Sequence, residues 1–173
     1  SSLPHVPFVQ ARREAMSNAF PGTTLIIPAG STKVRSNDTD YPYRPQTAFT
    51  YLTGWGSGTI PGSILLGTPQ GKKHQWTLFV LPPAPRTSDE FYANPAIGEF
   101  WTGRRPGLDD VGVWLALETK DLASWSLDDL DLASSAVVAT ADENLTREIR
   151  ERRHTKDTSP DDRLAEVISE MRL

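Results

Sequence analysis

The chain has 173 residues, 38% hydrophobic and 23% charged, which suits one domain burying roughly 70% of its unfolded surface. A net charge of −4 argues against a nucleic-acid partner, since binders of phosphate carry a basic surplus. Cysteine is absent, no apolar run approaches the ~18 residues of a membrane span, and the first residues lack the build of a signal peptide. A cytoplasmic location with no membrane partner is therefore expected.

Residues 8–20 have helical spacing, with Val9, Arg12, Arg13 and Met16 three and four apart and Pro21-Gly22 as the stop. Residues 23–27 (TTLII) are β-branched and apolar, which predicts a strand buried on both faces. Residues 31–45 are polar and turn-rich, and TAFTYLTG after them is too short to assign to helix or strand. Residues 63–66 and 75–81 predict two strands joined through TPQGKK, where Gly71 supplies backbone freedom. Residues 82–95 hold too much proline for regular structure. A helix is expected within 108–122 and a strand at 134–139. This alternation predicts an α/β layer with helices on both faces of a sheet.

Residues 141–173 hold 9 acidic and 7 basic side chains and read as one or two surface helices. The last begins at Ser159 as cap, with Pro160 in the first helical position and Asp161 and Asp162 opposing the dipole. Leu164, Val167, Ile168 and Met171 form its apolar stripe. The stripe meets no stop signal, as expected of a chain cut at that point or of a helix leading into another domain.

Chemistry-bearing patterns are sparse. His5, His74 and His154 are far apart and none sits in an HExxH frame. The acidic groups Asp38/Asp40, Asp109/Asp110, Asp128/Asp129/Asp131 and Asp161/Asp162 lack calcium-loop spacing, so turn and cap roles are expected. No GxSxG elbow occurs, and nothing in the spacing pairs a serine with a histidine. GWGSGTIPG misses the dinucleotide fingerprint. REIRERRHTK (147–156) interleaves Glu148 and Glu151 with arginines, as a solvated helix face does. Trp76 and Trp114 lie in apolar surroundings and are expected in the core. Two loops resist so plain a reading: Asp40-Tyr41-Pro42-Tyr43-Arg44, and EFWTGRR at 99–105, which sets Trp101 beside Arg104 and Arg105. Aromatics and arginines in loops near the surface are good binding or interface anchors.

Those loops carry a resemblance. RREAMSNAFPGTTLIIPAG (12–30), VRSNDTDYPYRPQTAFTYLTGW (34–55), LFVLPP (78–83), GEFWTGRRPG (98–107) and the closing EMRL, in this order, resemble the amino-terminal domain of aminopeptidase P. The chain departs at Pro45, where glutamine is common in that family, and in a longer stretch at 84–98. The resemblance implies a mixed β-sheet flanked by helices on both faces, spanning 1–155, with 156–173 as a linker helix toward a catalytic domain of the pita-bread fold. It implies no catalytic residue, cofactor or metal ligand in this chain. Two divalent metal ions, manganese above all, would belong to the parent metalloaminopeptidase, which removes an N-terminal residue that precedes proline. The implied partners are that catalytic domain, further copies in a homo-oligomer, and peptide substrate only through the parent enzyme. Arg44, Trp101, Arg104, Tyr43 and Arg105 are then the residues expected to face the substrate cleft or an interface. The alternative is a stand-alone module that binds a partner or peptide without catalysis.

Overall fold

The computed structural model describes residues 1–32, 43–83, 105–154 and 157–173. Helix α1 (Val6–Ala19) leads into β1 (Thr24–Pro28), and α2 (Thr47–Thr53) precedes β2 (Ile64–Gln70) and β3 (Lys73–Val80). Then come α3 (Leu108–Leu115), β4 (Glu118–Asp121), β5 (Ser135–Val137), α4 (Glu143–Arg152) and α5 (Ser159–Met171). The strands form one sheet in the order β4-β3-β2-β1-β5. Neighbours β1–β2 and β2–β3 are antiparallel, whereas β1–β5 and β3–β4 are parallel. The sheet is thus mixed, as expected.

Each face of the sheet has its own apolar cluster. On one face Leu25, Ile27, Leu65 and Leu78 meet Met16 of α1 and Phe20 just after it, Phe49 and Leu52 of α2, Val111 and Leu115 of α3, and Leu164 and Ile168 of α5. On the other, Ile26, Leu66, Phe79 and Val137 meet Leu145 and Ile149 of α4 and the short turn carrying Leu127. Strand β1 is buried at every residue because it contributes alternately to both clusters.

Several expectations shift at their edges. The hairpin turn is tighter than TPQGKK, because Gln70 already pairs with Lys73, leaving Gly71 (φ +59°) and Lys72 as the turn. Pro69 is tolerated there because β1 pairs with β2 only as far as Gly67, so Thr68–Gln70 is an edge. The helix expected within 108–122 stops at Leu115, with Ala116 left-handed at φ +52°, and residues 118–121 form β4 instead. ETKD carries no apolar signal because a charged strand at a sheet edge needs none. Trp114, expected in the core, is 38% exposed, since Val111 and Leu115 define the buried side of α3.

The charged carboxy-terminal third holds the largest correction. Arg153 and Asp161 are not on a solvated face but buried, paired through Nη2–Oδ2 at 2.6 Å and Nη1–Oδ1 at 3.2 Å. Arg150 adds a third bond to Asp161 at 3.1 Å. Asp161 Oδ1 also accepts from Val137 N at 2.9 Å, and Arg153 Nη1 donates to Ser135 O at 3.2 Å. Those two backbone groups point away from β1, so the ion pair occupies hydrogen-bonding positions that a sixth strand would use. Cap and turn roles do hold for Asp110 and Asp131, and Asp121 and Asp142 act in the same way, each accepting from a backbone N–H two or three residues away. Helix α5 is preceded by Thr158 as its cap residue, one position before the expected Ser159.

Candidate functional site

Strands β1, β3, β4 and β5 run the same way, so their carboxyl ends share one end of the sheet, and loops there are the usual place for a ligand or partner. The segment 43–46 is tied to that end. Tyr43 Oη donates to Gly30 O at 2.8 Å, just past β1, and Gly62 N donates to the same carbonyl at 3.0 Å. Gln46 N donates to Ala29 O at 2.9 Å, the Gln46 side chain accepts from Ala48 N to cap α2, and its amide reaches Thr140 Oγ1 at 3.4 Å. Gly30 is required at this junction: its φ is +90°, and a Cβ there would stand 2.8 Å from Ala141 O.

Four backbone and side-chain bonds therefore hold the strip that carries Arg44, whose own side chain is exposed. A planar cation displayed on a braced segment suits a carboxylate or an aromatic partner. Arg105 comes to the same end of the sheet but is not displayed: it is 6% exposed, and Nη2 donates to Pro82 O at 2.7 Å beyond β3. Tyr43, Arg44 and Arg105 thus gather where β1 and β3 end, while Trp101 and Arg104 lie outside the described residues.

Burial holds the Tyr43 hydroxyl well above the usual tyrosine pKa. The folded value is raised above the unfolded value of about 10, so this contribution to stability is complete below that pH. It drains away as pH rises through the folded value. Tyr43→Phe is expected to flatten the alkaline loss of stability, read as urea midpoints at neutral pH and above pH ~10. Equal alkaline slopes in the two proteins would assign that loss to other groups.

Among the described residues no group of three His, Cys, Asp or Glu side chains could hold a metal ion. His5 Nε2 is bound to Gly54 O at 2.7 Å, and both nitrogens of His74 are engaged. The described residues do not fit a two-metal centre, and no chemical step through one is assigned to them. The structure does pair a serine with a histidine, which sequence spacing could not show. His74 Nε2 lies 2.7 Å from Thr23 O, which can only accept, so Nε2 carries the proton. Nδ1 of the neutral ring then accepts from Ser17 Oγ at 2.8 Å. No carboxylate takes part, and Ser17 is 4% exposed, so the pair ties α1 to the hairpin rather than forming a nucleophile at the described sheet end.

Residues 9–123 match the family pattern described as the aminopeptidase P N-terminal domain. Xaa-Pro aminopeptidase 2 of Streptomyces coelicolor is 32% identical over 173 residues, covering 96% of this chain and 34% of that protein. Xaa-Pro aminopeptidase 1 of the same organism is 39% identical over 112 residues, covering 65% of this chain and 22% of the relative. The chain therefore spans about a third or less of the curated relatives it matches. Among solved structures, a putative aminopeptidase P from Bacillus anthracis superposes with TM-score 0.63 at 18% identity, over 84% of this chain and 36% of that one. An Escherichia coli aminopeptidase P variant gives TM-score 0.53 at 25% identity, over 71% of this chain and 25% of its own.

Proposed function

The chain belongs to the aminopeptidase P N-terminal domain family, and from that membership we propose that it is the non-catalytic amino-terminal part of a metal-dependent Xaa-Pro aminopeptidase. In this reading the parent enzyme removes the residue that precedes proline. A pair of divalent metal ions, manganese by preference, acts in a separate catalytic domain. The observation that carries the reading is the alignment over 96% of this chain to 34% of an Xaa-Pro aminopeptidase. Residues 1–155 form the domain proper, and 156–173 lead toward the catalytic domain.

The part this chain plays is then one of support. It packs against the catalytic domain, builds a homo-oligomer in the cytoplasm and narrows access to the active-site cleft. The braced display of Arg44 supports that role, with Tyr43 fastening the strip, Arg105 bound to Pro82 O beyond β3, and Trp101 and Arg104 expected on the same surface.

Two measurements test the reading. The 173-residue chain with added manganese is expected to leave an Xaa-Pro peptide intact, whereas the complete gene product hydrolyses it. Turnover by this chain alone, or a gene product without metal-dependent hydrolysis, overturns the proposal. Arg44→Ala in the complete protein is expected to lower turnover or change oligomer size without moving the unfolding midpoint. Unchanged kinetics and size would remove Arg44 from the site.

A further inference from the structure

A cavity of about 640 Å³ lies between one face of α1, the start of β3 and the link from α3 to β4. Arg13 forms part of its wall, and the side chain has an unusual balance of contacts. The residue is 4% exposed, yet its one hydrogen bond among the described residues is from Nη1 to Leu52 O at 2.8 Å. No carboxylate pairs with it among those residues. A guanidinium has five N–H donors, and a buried cation without an anion is costly. Desolvation shows as an Arg13 pKa lowered to about 10.

The rest of the lining narrows the choice of ligand. Ser17 sits one helical turn from Arg13 on the same face, and its proton is committed to His74 Nδ1, so its oxygen offers the cavity only lone pairs. Lys73, Glu14 and Glu118 are the other charged residues around the cavity, and all three are exposed, so they belong to its rim. The four charges cancel, with one cation in the wall and a lysine and two carboxylates at the rim. A phosphate dianion would meet two carboxylates at the rim against the single cation Lys73. A molecule bearing a carboxylate and a nearby ammonium group meets complementary charge at both ends. Trp76, whose ring lies tilted against His74 at 5.5 Å between centroids, also lines the cavity and supplies an apolar wall for a short aliphatic part.

We propose that this cavity binds a small zwitterion, an amino acid or short peptide, with its carboxylate on Arg13 and its ammonium toward Ser17, Glu14 and Glu118. The site is separate from the Tyr43–Arg44 strip and does not depend on the function proposed above. Free amino acid and peptide share the recognised chemistry, and glycine and glycylglycine separate them as probes.

The test is a titration of the isotope-labelled 173-residue chain followed by NMR. Glycine or glycylglycine is expected to shift the Trp76 indole and Arg13 guanidinium signals along one saturating curve, with Kd on the order of 1 mM. Acetate should bind more weakly and ethylammonium not at all. Glu14→Gln combined with Glu118→Gln should erase the advantage of glycine over acetate while acetate still binds. Arg13→Gln should weaken both by about tenfold or more, the loss of one charge-assisted contact. Because Arg13 also caps α2, its result counts only alongside the paired glutamate variant, which leaves that cap intact. Absence of saturable shifts in the unmodified chain, shifts confined to other surfaces, or equal binding of acetate and glycine would overturn the proposal.

Discussion

Replacing Asp161 with asparagine is expected to lower the stability of the fold by about 3–5 kcal/mol, against a total of roughly 5–15 for a domain of this kind. The side chain keeps its shape and Oδ1 can still accept from Val137, but the amide nitrogen replaces Oδ2 and cannot accept from Arg153 Nη2 or Arg150 Nε. Arg153 is left buried without a counterion, and a stranded interior cation costs far more than a surface pair contributes. Urea denaturation should show the midpoint fall with little change in slope. The usual rescue, apolar replacement of both partners as in Arg153→Met with Asp161→Leu, should recover only part of the loss. Ser135 O and Val137 N–H would lose their partners, at about 1–3 kcal/mol for each unsatisfied group. Full recovery by the double variant would mean that the edge of β5 finds other partners and that the pair is a simple ion pair after all.

Phe49→Ala is expected to cost about 3–5 kcal/mol, because the ring is fully buried where α2 meets the sheet and neighbouring α1. Better helix propensity for alanine returns only about half a kcal/mol. The damage should reach beyond the core. Helix α2 is short, held from outside by Arg12 and Arg13 on the carbonyls of Tyr51 and Leu52, and it begins at Gln46, which fastens the Arg44 strip. Hydrogen exchange of α2 amides should therefore accelerate more than that of β2 or β3. A midpoint change of less than about 1.5 kcal/mol would show that the surrounding side chains collapse into the space.

The layer arrangement was legible in the sequence because strands and helices announce themselves by period and by β-branched runs. Strand β1 is the clearest case, read from TTLII almost to the residue. Strand β4 was hidden, since ETKD sits on an edge and owes its conformation to pairing with β3 rather than to any apolar pattern. The buried ions were missed for a different reason: their charge was read before their position. Arg153 continues the Leu145–Ile149 stripe by four residues, and Asp161 precedes Leu164 and Ile168 by three and seven. Arg13 falls likewise between Val9 and Met16 on the buried side of α1. Helical phase placed all three inside, and weighing phase above charge would have found them. The candidate site was half legible. Aromatic and arginine content marked the loops at 40–44 and 99–105, but whether an arginine is displayed or spent on a carbonyl depends on tertiary contacts, as Arg44 and Arg105 demonstrate.

The position of β5 has a consequence for synthesis. Thr24 lies opposite Ser135, so the second neighbour of β1 leaves the ribosome long after β1 itself. The β1–β2–β3 meander can assemble early from nearby segments, but one side of β1 stays open until β5 has been synthesised. Even then β5 is only three residues long, and its outer side is completed by the side chains of Arg153, just after α4, and Asp161 of α5. The nascent chain thus carries an unprotected strand until α5 has emerged. Such a polypeptide stands to gain from a holding chaperone at the tunnel exit, and slow decoding ahead of residues 135–168 would lengthen its exposure to aggregation.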